Sequence, residues 1–172
     1  VEVQWRAFPL HPETPTEGML LEDLFAGTSV DVPQMLNHLE EVAASLNLPF
    51  TTRRKTYNSR LAQEVGLWAE SLGKGHAFHM AAFHAYFAEG CNLADHHILV
   101  DIAGKAGLDG DATREVIKTR SFSPHVDEHW RVSRKKGVTA VPTFIINDRS
   151  LTGARPFNDL LHLVREAENS ER

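Results

Sequence analysis

Cysteine is nearly absent from this chain: its 172 residues contain one, Cys91. A single thiol excludes an internal disulfide framework, a cysteine-rich zinc site and a Cys-x-x-Cys redox pair within these residues. Long apolar runs are missing as well. No stretch of about 18 apolar residues occurs, so no membrane-spanning helix is expected, and the opening residues do not form a secretory leader. There is also no excess of positive charge. The 18 Lys and Arg are outnumbered by 23 Asp and Glu, which gives a formal charge of -5 and a pI near 6.0. Proteins that grip bulk nucleic acid carry a basic field, so neither nucleic acid nor membrane is expected as a partner. The short clusters Arg53-Arg54-Lys55 and Arg134-Lys135-Lys136 read as solvated helix ends or loops.

What is present is the composition of a globular protein, 42% hydrophobic and 24% charged. A chain of this length buries roughly 70% of the surface it exposes when unfolded. Val1, Val3 and Trp5 alternate with Glu2, Gln4 and Arg6, which predicts a half-buried strand. Pro9, Pro12 and Pro15 then force an extended, irregular segment. From Asp31 the pattern turns helical. Asp31 suits a cap and Pro33 a first turn, and Met35, Leu36, Leu39, Val42, Ala43 and Leu46 recur at three and four. A second helix is marked by Leu61, Val65, Trp68, Ala69 and Leu72, and a third spans about residues 76–89. Asp95 caps a fourth, and two shorter helices are expected near residues 112–119 and 124–136.

The period then changes. Residues 138–146 are rich in β-branched side chains and predict a strand, Asn147-Asp148-Arg149 is a turn signal, and Ser150 to Thr152 is a short return strand. Phe157, Leu160, Leu161, Val164 and Ala167 predict a final amphipathic helix behind Pro156. The expected order is strand, five or six helices, two strands, helix. Pro142 stands inside the β-branched run, where it cannot donate to a ladder. It is either an edge proline or the second residue of a cis X-Pro bond beside a functional loop.

Gly137-Val138-Thr139-Ala140-Val141-Pro142-Thr143-Phe144-Ile145-Ile146, followed by a turn, Gly153-Ala154-Arg155-Pro156 and a helix, resembles the C-terminal half of a thioredoxin fold. Trp5-Arg6-Ala7-Phe8-Pro9-Leu10, Tyr57-Asn58-Ser59, Ala85-Tyr86-Phe87-Ala88-Glu89-Gly90 and the run Leu99 to Leu108 extend that likeness over nearly the whole chain. Together they are similar to DsbA-like proteins of the FrnE type, which are relatives of 2-hydroxychromene-2-carboxylate isomerase and kappa-class glutathione transferase. The resemblance implies an α/β class, a thioredoxin-like fold with a large all-helical insertion between the strands. Residues 1–16 and 137–172 would form the thioredoxin-like part and residues 17–136 the helical insertion with its connecting helices.

It further implies a thiol–disulfide oxidoreductase acting on a peptide or small-molecule thiol. Val141 and a cis Pro142 would dock the substrate chain, and Asn58 is a second candidate ligand, with a helix cap as its plainer role. The family pattern opens with a strand and Cys-x-x-Cys, or a Ser-based glutathione site, and Val1 matches the strand after it. No catalytic residue is therefore assigned here. A segment upstream of Val1 is expected to carry the chemistry, ahead of a strand supplied by another chain or a rebuilt fold. No resident cofactor is expected, and glutathione is a possible co-substrate. Two alternatives stay open: a glutathione-dependent isomerase or transferase, and a non-catalytic binding module, such as a strand-exchanged homodimer. The single cysteine and lack of a leader lean to the cytoplasm.

Cys91 follows the third helix at its C-terminal end, the wrong end of the dipole for a thiolate. It reads as a structural thiol. The ten histidines are dispersed. His125 and His129 lie at i, i+4, but Val126 stands where a metalloprotease motif places Glu, so no metal site is assigned. Trp68, Phe78, Phe83, Tyr86, Phe87 and Trp130 fall at helical spacing and read as core, one or two of them lining a substrate groove.

Overall fold

The computed structural model describes residues 1–169. The chain divides into two compact units, Val1–Leu10 with Asp127–Arg172, and His11–Val126.

The larger unit is helical. It opens with a two-residue strand β1 (Met19–Leu20) and a single turn α1 (Leu21–Leu24), followed by α2 (Val32–Ser45), a second short strand β2 (Lys55–Thr56), α3 (Arg60–Ser71) and α4 (Gly75–Phe83). α4 runs on as a π-helical turn, His84–Ala88, before α5 (His96–Lys105) and α6 (Gly110–Thr119). Local chemistry sets the starts. Asp31 accepts from Gln34 N–H at 2.9 Å, Asp95 from His97 N–H at 2.7 Å and Asp109 from Ala112 N–H at 2.8 Å. Each satisfies an amide that would otherwise lack a partner in the first turn. β1 and β2 pair antiparallel, with Met19 opposite Thr56. Gly18 (φ 87°) makes this approach possible, since a Cβ there would meet the Tyr57 ring at 2.6 Å and Thr56 O at 2.9 Å.

The core of this unit sits among α3, α4, α5 and α6. Val65, Ala69, Phe78, Leu99, Ile102 and Ala103 are buried, joined by Ala85, Leu108 and Ile117. A smaller cluster, Leu21, Val32 and Leu36, anchors α2. The helices expected from periodicity are all present within a residue or two. The two-residue bridge and α1 are too short to leave a periodic trace.

The smaller unit holds the end of α7 (Ser123–Lys135), β3 (Thr143–Ile146), β4 (Arg149–Thr152) and α8 (Phe157–Asn169). β3 and β4 form an antiparallel hairpin, Thr143 opposite Thr152 and Ile146 opposite Arg149. Asn147 takes a positive φ of 52° in the tight turn, which Asn tolerates better than most residues. α8 packs on the hairpin through its buried face, Leu163 and Ala167.

Two expectations are corrected here. The alternating segment Val1 to Arg6 is not a strand: no ladder includes it among the described residues, and Val1 and Val3 are 93% and 75% exposed. Period two prepares a face for burial, but a strand also needs a ladder of N–H and C=O bonds, and none is formed there among the described residues. The predicted strand over residues 138–146 shrinks to Thr143–Ile146. Pro142 has no N–H, so the ladder begins after it. No helix of the described residues is long and apolar enough to cross a membrane.

Candidate functional site

In the smaller unit the segment leading into β3 is a bend held from both sides. The Val141–Pro142 peptide bond is cis. Gly153 N–H donates to Pro142 O at 2.8 Å, and Thr143 Oγ1 donates to Ala140 O at 2.7 Å. Thr143 Oγ1 also lies 3.2 Å from Thr152 Oγ1 across the hairpin. These contacts fix the residues on either side of Val141 and leave Val141 itself outward. Its residue is 43% exposed, and no hydrogen bond among the described residues engages its backbone N–H or C=O. A fixed, exposed residue with both backbone groups available is what main-chain pairing with an extended chain requires.

In the same unit, Ala7 N–H donates to His129 Nδ1 at 3.2 Å, and Arg6 Nη1 stands 3.0 Å from His129 Nε2. His129 is thus a clasp for the N-terminal segment. In the helical unit the His125 ring lies tilted against Phe122, with ring centroids 5.1 Å apart. Among the described residues no three His, Cys, Asp or Glu side chains gather as a metal site.

In the helical unit Asn58 is engaged within the protein. Its Nδ2 donates to Thr14 O at 2.8 Å and Pro12 O at 3.2 Å, and its Oδ1 accepts from Arg60 N–H at 2.9 Å. The side chain ties the proline-rich segment to the start of α3. Asn92, which sequence reasoning did not single out, repeats the device. Its Nδ2 donates to Thr16 O at 3.0 Å, and its Oδ1 accepts from Ala94 N–H at 2.8 Å.

A buried ion cluster also went unread. Glu64 is 1% exposed. Arg120 grips it with two bonds, Nε to Oε2 and Nη2 to Oε1, both 2.7 Å, and Arg60 Nε reaches Oε1 at 2.8 Å. Arg60 Nη2 in turn donates to Ser123 O and Oγ at 2.9 and 2.7 Å. Burial pushes the Glu64 carboxyl up, but the hydrogen bonds and positive charge of Arg120 and Arg60 outweigh it and hold the group below its ordinary value. The available sequence signal was a Glu on the apolar face of α3, one turn after an Arg. Its second partner is 56 residues away.

The aromatic residues divide. Phe78 is buried at 1%, whereas Phe83 and Phe87 are 42% and 37% exposed. Tyr86 OH lies 3.0 Å from Thr56 Oγ1, and the Arg53 guanidinium stacks over the Tyr86 and Phe87 rings at 4.4 and 5.1 Å. Cys91 packs against the helical core. Its thiol is pushed up by burial and then by Glu89, whose carboxylate is 3.7 Å from Sγ. That environment suppresses the thiolate a nucleophile needs.

A helix-rich chain with a terminal β-hairpin and helix, and a proline bend at the hairpin's entrance, belongs to a known class. The model of the DSBA-like thioredoxin domain family matches residues 1–165, and the chain belongs to that family. The fold is the DsbA-like thioredoxin fold, mostly helical with few strands. Among individual proteins, the uncharacterized protein YwbO of Bacillus subtilis (strain 168) is 30% identical over 159 residues, covering 90% of this chain and 76% of its own. A probable DsbA oxidoreductase of Streptomyces coelicolor, SCO1869, superposes with a TM-score of 0.88 at 24% identity over 98% of this chain and 76% of its own. A 2-hydroxychromene-2-carboxylate isomerase matches with a TM-score of 0.66 at 20% identity, covering 81% of this chain and 66% of its own.

Proposed function

We propose that these residues form the substrate-docking part of a DsbA-like thiol–disulfide oxidoreductase. One observation carries the reading: Val141 is held outward with its N–H and C=O unengaged beside Pro142. An extended peptide around a disulfide pairs with Val141 as a strand would, which presents its sulfur to an attacking thiolate. The thiolate displaces one substrate sulfur as a thiolate and forms a mixed disulfide; a second enzyme thiolate then resolves it, leaving the substrate reduced by two electrons and the enzyme oxidised. Cys91 supplies neither thiol, because its environment disfavours the anion. The pair belongs to chain outside the 172 residues, which span about three quarters of YwbO. Pro142 shapes the docking bend, while Asn58 holds the segment around Thr14 within the helical unit. A free, partly exposed thiol such as Cys91 suits a reducing compartment, and we place the protein in the cytoplasm.

The test is an amide-resolved NMR titration with a short extended peptide containing a blocked cysteine. Shifts are expected at residues 140–143, and a peptide N-methylated at the pairing residue should bind several-fold more weakly. Shifts elsewhere, or equal binding of the methylated peptide, would sink the docking role. Glutathione is the parallel probe. Millimolar glutathione binding together with no effect of the peptide would favour the isomerase-like relatives instead.

A further inference from the structure

We infer that the helical unit carries a second, independent site, which takes a small molecule with an apolar body and an oxyanion head. Where α3, α5 and α6 meet, a cavity of about 480 Å³ opens to the surface, within the size range of small-molecule sites. Its floor is aliphatic, made by Leu61, Val100 and Ile117, and its rim is cationic, made by Arg114, Lys118 and Arg120, with His96 also lining it. No carboxylate lines it. An apolar floor beneath three guanidinium and ammonium groups fits an amphipathic anion and repels a cation.

The three cations differ in how firmly they are held, and the difference matters. Arg120 is fixed by its two bonds to the buried Glu64, so it presents a guanidinium in a constant place. Arg114 pairs with Asp111 at 2.6 Å, a carboxylate 94% exposed, and Lys118 lies 4.0 Å from Glu115 with both groups largely in water. Such surface pairs contribute about 0–1 kcal/mol, so an incoming anion exchanges for them at little cost. At Gly110 a Cβ would stand in ordinary contact with both Arg114 Nη1, at 3.6 Å, and Val100 Cγ1, at 3.7 Å, which sets the Arg114 head beside the aliphatic floor. None of these residues belongs to the docking bend, and the inference does not depend on the redox reading.

Decanoate and decyl phosphate share the required chemistry and distinguish its sources. Each is titrated into ¹⁵N-labelled protein below its micelle concentration. Saturable shifts at Val100, Ile117 and Lys118 are expected with at least one of them, and the tighter binder names the head group. Charge reversal in Arg114→Glu with Lys118→Glu should weaken that binding by about tenfold or more, and Arg114→Gln with Lys118→Gln by less. Both residues are exposed on α6, and unchanged thermal melting certifies the variants. Phe83→Ser with Phe87→Ser, on the exposed aromatic row, should leave affinity unchanged. The inference is overturned if neither amphiphile binds, if shifts centre on Phe83 and Phe87, or if charge reversal leaves affinity where it was.

Discussion

The two units of this protein solve the burial problem differently. The helical unit closes on itself: Phe78, Val65, Leu99 and Ile102 are at most 1% exposed, and its one deeply buried carboxylate is met by two guanidinium groups. In the smaller unit the buried hydrophobic residues among those described are Leu163 and Ala167, while Val1, Val3, Trp5, Phe144 and Phe157 stay 93%, 75%, 44%, 36% and 75% exposed. A two-stranded hairpin has two open edges and one helix to cover a face, so it cannot hide its apolar residues as four crossing helices can. Stability therefore concentrates in the unit without the candidate docking residue, and accessible backbone concentrates in the unit with it.

That contrast can be broken by measurement, beginning where the effect is greatest. Phe78→Ala removes a fully buried ring and should cost about 3–5 kcal/mol, read as urea unfolding of the helical circular dichroism signal. A loss below about 1 kcal/mol would mean that the helical core repacks freely. Glu64→Gln comes next, at about 3 kcal/mol near neutral pH, because it strands the charge of Arg60 and Arg120 around a buried neutral group. Its pH dependence has a definite sign. The folded protein holds the Glu64 carboxyl below its ordinary value, so its stabilisation is complete above the unfolded pKa of about 4.3. It drains away as pH falls through the lower folded value. The gap between wild type and variant should therefore close on acidification. A constant gap from pH 7 to pH 3 would show that Glu64 matters by shape rather than charge.

Smaller effects sharpen the picture. Cys91 should react with iodoacetamide several-fold more slowly than a free thiol near pH 7, and Cys91→Ser should leave peptide binding at residues 140–143 intact. Fast alkylation would remove the basis for treating it as structural. Least of all, Phe157→Ser should change stability by no more than about 0.5 kcal/mol in the same urea titration. A larger loss would show that the smaller unit relies on a residue that stands in water.

Much of the architecture was readable because helices are local. Asp31 and Asp95 announce their own caps within three residues, and the apolar stripes of α3 and α5 repeat every turn. Strands are less local: the terminal hairpin was read from its turn signal, but the N-terminal strand was not borne out. Val1, Val3 and Trp5 have the period of a strand, yet no ladder forms there among the described residues. Phe157 sits at the first position of α8, outside the face that carries Leu163 and Ala167, so its apolar character misled. Within the candidate sites, the bend at Pro142 was legible because proline interrupts an apolar run. Glu64 was not, because an Arg–Glu pair one turn apart normally marks a solvated helix face. Its burial depends on Arg120, which lies far along the chain and takes up a left-handed backbone (φ 53°) at the end of α6.

The asparagines have a consequence of their own. Asn58 takes the carbonyls of Pro12 and Thr14, and Asn92 takes that of Thr16. The captured oxygens fall at every second residue, which is the period of a strand. Here the neighbour is not another backbone but two side-chain amides, each anchored to a fixed point of the helical unit. The proline-rich segment thus has a register, as a zipper does, although it belongs to no sheet. Its register against the helical unit is set by what its carbonyls accept. Inserting one residue between Thr14 and Thr16 would turn alternate carbonyls away from their amides, so the segment tolerates changes of side chain far more readily than changes of length.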